Sequence, residues 1–111
     1  MSRQQATDDL VIANGQTVSN QIPGERLRHT RELCIFAPAT LPETVTVEVA
    51  PGPSPQAADF RALQSDGADI TLTAGKATVI TAVAFQSLRL VADAGVGADR
   101  TFQVVVLDDS R

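Results

Sequence analysis

The segment Thr44-Val45-Thr46-Val47-Glu48-Val49 constrains this chain more than any other stretch. Val45, Val47 and Val49 alternate with Thr44, Thr46 and Glu48. β-Branched residues at period two give an extended strand one apolar and one polar face. On a helix the same valines would point in different directions, and no face would survive. A half-buried strand needs a second layer to cover it, so the rest of the chain must supply one.

Short runs of the same kind recur between turn signals. Leu10 to Ala13 is followed by Asn14-Gly15, a pair that favours a type I′ turn, and Val18 to Ile22 then reads as the returning strand of a hairpin. Arg31 to Phe36 places Leu33 and Ile35 on one face and Cys34 and Phe36 on the other, so both faces are expected to be covered. Ile70 and Leu72, Ala77 to Val83, Gln86 to Ala92 and Thr101 to Leu107 complete the series. Phe102, Val104 and Val106 share a face of the last run. Val105 and Leu107 on its other face predict a central or covered position.

Pro51-Gly52-Pro53-Ser54-Pro55 cannot enter a ladder, because proline has no N–H to donate, and it reads as an exposed loop. Ser65-Asp66-Gly67 and Ala74-Gly75 read as turns. Eight or nine short strands at spacings of about ten residues are the pattern of a sandwich or small barrel. The expected fold is all-β: a small, antiparallel, jelly-roll-like sandwich over residues 9–107. Polar residues 1–8 read as a flexible arm, and residues 108–111 as a polar tail.

A chain of 111 residues suffices for one domain. Its 43% hydrophobic content is ordinary, but with four Phe and no Trp or Tyr the core falls mainly to Val, Ile, Leu and Ala. Nine basic against thirteen acidic residues give a net charge of −4. That balance argues against nucleic acid and against anionic membrane as primary partners. Arg26, Arg28, His29 and Arg31 nevertheless cluster; they read either as a solvated face or as a site for an acidic partner. The N-terminal residues lack the apolar stretch of a signal peptide, so synthesis in the cytoplasm is expected.

Catalytic constellations are missing from the sequence. The lone histidine, His29, has no nucleophile elbow to serve. Cys34, flanked by Leu33 and Ile35, reads as a buried structural thiol, and a single cysteine excludes both an intrachain disulfide and a cysteine-rich zinc site. Asp59, Asp66, Asp69, Asp93 and Asp99 sit in or beside turns, where aspartate bonds nearby backbone. Gly95-Val96-Gly97 lacks the remainder of a dinucleotide fingerprint. No enzyme activity, metal or cofactor is expected.

Several segments, taken in order, resemble a group of small virion proteins of tailed bacteriophages. Residues 10–22 carry an "(I)ANGxxxS" opening. A strand running into a proline loop follows at Leu33 to Pro38, then the valine strand, then an "FxxL…G" stretch from Phe60 to Gly67. An "LRL" strand at Leu88 to Leu90 and "ADRTF" at Ala98 to Phe102 close the series. The resemblance implies a structural component of a phage particle. A capsid decoration or cement protein that bridges capsid subunits is the first expectation. A tail, neck or head-fibre component, or a carbohydrate-binding β module used in attachment, is the alternative. The implied partners are a major capsid protein or other virion protein and further copies of the chain. Candidate contacts are Arg26, Arg28, Arg31, Pro51, Pro53 and Pro55, together with the N-terminal arm.

Overall fold

A computed structural model describes residues 2–22, 27, 30–52, 55–81, 83 and 85–110, with the side chains of residues 2–7 and 108–110 outside that description. Among the described residues it is an all-β structure with ten strands. They are β1 (Ser2–Ile12), β2 (Thr30–Phe36), β3 (Val45–Ala50), β4 (Arg61–Ala62), β5 (Gln64–Ser65), β6 (Ala68–Asp69), β7 (Thr71–Leu72), β8 (Ala77–Ile80), β9 (Ser87–Ala92) and β10 (Arg100–Ser110). Every pairing is antiparallel. The count exceeds the expected eight or nine because the stretch from Arg61 to Leu72 breaks into two-residue strands.

One sheet runs β1-β10-β2-β8. In the other, β3 pairs with β9 on one side and with β4 and β7 on the other. The two sheets share one core. Leu10, Ile12, Leu33, Ile35, Phe102, Val104 and Val106 come from the first; Val45, Val47, Leu72, Leu88, Leu90 and Ala92 come from the second. The valine pattern explains the division, since Val45 and Val47 are wholly buried while Thr46 and Glu48 are half-exposed. Val49 is only half-buried and packs on the edge of this core.

Residues 2–8 of the expected arm and 108–110 of the expected tail are strand instead. β1 begins at Ser2 and stays in register with β10 from Ser2↔Ser110 to Ile12↔Arg100 without a shift. A ladder formed from backbone groups needs no apolar side chains, so polarity alone did not reveal it.

The hairpin expected at Asn14-Gly15 is also absent. The turn itself forms, with the Gln16 N–H donating to the Ala13 carbonyl at 2.9 Å. Gly15 takes a positive φ of 83°, whereas Asn14 does not, which is the type II pattern. The Gly15 N–H donates to Val96 O (2.8 Å), which holds the turn against a loop of the opposite layer. The chain then crosses to the second sheet and lies along β9, bridging at Val18↔Val91 and Ile22↔Leu88. The true type I′ hairpin is the β5–β6 pair, where Asp66 (φ 55°) and Gly67 (φ 82°) both take positive φ.

Candidate functional site

Two features of the first sheet stand out from the packed core. One is its outer face. Val105 of β10, Cys34 of β2 and Val79 of β8 are directly opposed across the ladder. Leu107 and Glu32 extend that row, and with Leu33 these residues line a shallow depression of ≈ 140 Å³. Val79 is 57% exposed and Phe36 44% exposed. Cys34, Val105 and Leu107 are half-buried. These apolar side chains form a contiguous row left partly in water.

The sequence carries the signal for this face, because β2 and β10 are apolar at both parities. The expectation of cover on both faces is met on the inner face alone. Cys34 is therefore half-exposed on an outer surface and is not enclosed in the core. Its partial burial pushes the thiol above its ordinary pKa, so it is protonated at neutral pH. A protonated thiol is a poor nucleophile.

The second feature is the open edge of β1. Asn20 reaches it from the crossing segment: Val11 N–H donates to Asn20 Oδ1 at 2.7 Å, and Asn20 Nδ2 donates to Asp9 O at 3.2 Å. One side-chain amide thus takes the place of a neighbouring strand. Ser19 beside it is anchored to β9, its N–H donating to Leu90 O and its Oγ accepting from Leu90 N–H, each at 2.9 Å. Sequence reasoning missed Asn20, because it read Val18 to Ile22 as the returning strand of a hairpin, in which an asparagine side chain has no such role.

Of the contacts expected from sequence, Arg31, Pro51 and Pro55 lie among the described residues. Arg31 is exposed at the start of β2, and Arg26, Arg28 and His29 lie outside the described residues. Pro51 is exposed and Pro55 half-buried; Pro53 lies outside the described residues. The proline loop is tied to the second sheet through Ser87 Oγ, which donates to Gly52 O at 3.0 Å. Nearby, Arg89 pairs with Glu48 at 2.7 Å and lies over the Phe60 ring. Asp59 accepts locally from Gln56 N–H and Asp69 from the Gln64 amide, whereas two loop aspartates bond backbone far along the chain. Asp99 accepts from Asn14 N–H (2.8 Å) and Asp93 from Thr44 N–H (3.1 Å). Among the described residues, no group of three or more His, Cys, Asp or Glu is arranged to hold a metal ion.

No known protein-family model matches this sequence. No curated protein matches it either. Among solved structures, the fold is similar to that of the SPBc2 prophage-derived protein YomS, with a TM-score of 0.61 over 95% of this chain and 96% of that one, at 10% sequence identity. The likeness runs end to end, and at that identity it is one of fold.

Proposed function

We propose that this chain is a non-enzymatic structural protein of a tailed-phage particle, acting as a capsid decoration or cement protein. The end-to-end fold likeness to a prophage-derived protein carries the phage part of this reading. The ordered motif series from Leu10 to Phe102 supports it independently. The assembly part rests on the outer face of the first sheet, where Phe36, Cys34, Val79, Val105 and Leu107 form a partly exposed apolar surface.

In this reading the chain is made in the host cytoplasm and resides on the virion as an oligomer. Its outer face docks on a major capsid protein or another virion protein. Each docked copy buries surface across neighbouring subunits. A specific interface of this kind needs roughly 1,000 Å² in total. Repetition over a symmetric shell then multiplies individually weak contacts.

Mass spectrometry of purified particles, joined to co-sedimentation with undecorated capsids, tests the reading. The protein is expected in particles and in the capsid pellet at micromolar concentration. Absence from particles would overturn the virion role. Presence in particles with no capsid binding would move the protein to the tail, neck or head fibre.

A further inference from the structure

We infer that the open edge of β1 is a homodimer interface, in which two copies join their first sheets by antiparallel β1–β1′ pairing centred on Gln5. The inference deepens the proposed assembly role by naming one partner, a second copy, and it rests on that reading only for its biological use.

The argument begins with the sheet edges. An edge strand presents unpaired N–H and C=O groups, and proteins usually blunt such edges by shortening, bulging or covering them. β8, at the opposite edge of this sheet, has four residues and begins directly after Lys76. In the second sheet, β9 is covered by the segment that bridges at Val18 and Ile22. β4 and β7 on its other side have two residues each. β1 has eleven residues, pairs with β10 without a bulge and contains no proline. It is the terminal strand of its sheet, and Asn20 meets its outer side at Asp9 and Val11.

Asn20 also fixes which groups the remaining edge offers. Asp9 O and Val11 N–H point to the open side. Backbone groups of an antiparallel strand alternate sides, so Thr7, Gln5 and Arg3 turn theirs to the same side, and the residues between them face β10. Pairing centred on Gln5 matches Arg3 with Thr7′, Gln5 with Gln5′ and Thr7 with Arg3′. It uses the part of the edge that Asn20 does not reach.

Charge favours a second copy in this orientation. Over residues 2–9 the basic residue, Arg3, lies near one end, and Asp9, at the same strand parity, lies at the other. Antiparallel self-pairing brings the basic end of each copy beside the acidic end of its partner, while parallel pairing would set like against like. The product is an eight-stranded sheet in the order β8-β2-β10-β1-β1′-β10′-β2′-β8′. Its outer face would carry both rows of Val105, Cys34 and Val79, because Thr7 of β1 is in register with Val105.

Sedimentation equilibrium of the full chain tests the pairing. The expected mass is twice 11.7 kDa in the micromolar range. Gln5→Pro removes an N–H that faces the open edge, so the chain should fold and sediment at 11.7 kDa. A register test avoids reliance on that variant. In a Cys34→Ser background, Gln5→Cys should form a disulfide-linked dimer under mild oxidation, since opposed hydrogen-bonded residues sit about 5.5 Å apart at Cα. Thr7→Cys should not, because Thr7 opposes Arg3′. A monomeric parent chain, or equal cross-linking of both variants, overturns the interface. Particle mass spectrometry separates the two ideas: a monomer found in particles defeats only the pairing, and a dimer absent from particles defeats only the virion role.

Discussion

The guanidinium of Arg89 lies over the ring of Phe60, 4.2 Å from its centroid, and the same group pairs with Glu48 at 2.7 Å. Arg89 and Glu48 are directly opposed on β9 and β3, and Phe60 enters from the end of the proline loop. One side chain therefore joins both strands to the loop that covers them. Arg89→Ala should cost about 1–2 kcal/mol in urea unfolding. Arg89→Lys should recover only part, because an ammonium cannot stack flat on the ring while forming the same bonds. Full recovery by lysine would show that charge alone matters there.

Glu43 accepts two hydrogen bonds from Arg100, at 3.1 and 3.2 Å. That hydrogen bonding is the main reason its carboxyl lies below its ordinary value of 4.5. A depressed folded pKa gives stability that is present above the ordinary value and is lost as pH falls through the folded one. Stability should therefore fall below pH 4.5, and more steeply in the parent than in Glu43→Gln. Denaturant melts of the two proteins from neutral pH downward check this; parallel curves would remove Glu43 from the acid response.

Val47 and Val79 separate fold from surface. Val47 is wholly buried, so Val47→Asp places an unpaired charge in the core and should abolish the folded circular-dichroism signal. Val79 is 57% exposed, so Val79→Glu should change stability by no more than about 0.5 kcal/mol. The same Val79→Glu protein should lose co-sedimentation with capsids. Retained binding would exclude the outer face of the first sheet as the docking surface.

Cys34 should react slowly. Partial burial holds its thiol above the ordinary value of 9.0, so less thiolate is present at any neutral pH than in an exposed peptide cysteine. Alkylation of the native protein should lag that of the urea-unfolded chain, and its rate profile should shift to higher pH. A native rate equal to the unfolded one would contradict the burial.

Asn20→Ala removes the amide that stands in for a strand beside Asp9 and Val11. The cost should be about 1 kcal/mol, since the exposed backbone groups can turn to water. Hydrogen exchange at the Val11 amide should quicken. Unchanged protection at Val11 would mean that this bond does not persist in solution.

Much of the architecture follows from the sequence alone. Period-two patterns at Val45 and Val47, at Leu88 and Leu90, and at Phe102, Val104 and Val106 name strands and inner faces, because alternation is a local property of extended chain. All seven of those residues are wholly buried. The proline loop and the Asp66-Gly67 turn are legible for the same reason: proline and glycine act on their own backbone. What tertiary structure decided was partnership. β1 joins β10, at the other end of the sequence, instead of the neighbour that Asn14-Gly15 suggested, and the polar ends of both strands are carried into the ladder by backbone hydrogen bonds that side-chain polarity does not encode. Which apolar face meets the core and which meets water was decided there too. The sequence makes both faces of β2 and β10 apolar; only the position of the second sheet leaves Phe36, Cys34, Val79, Val105 and Leu107 on the outside.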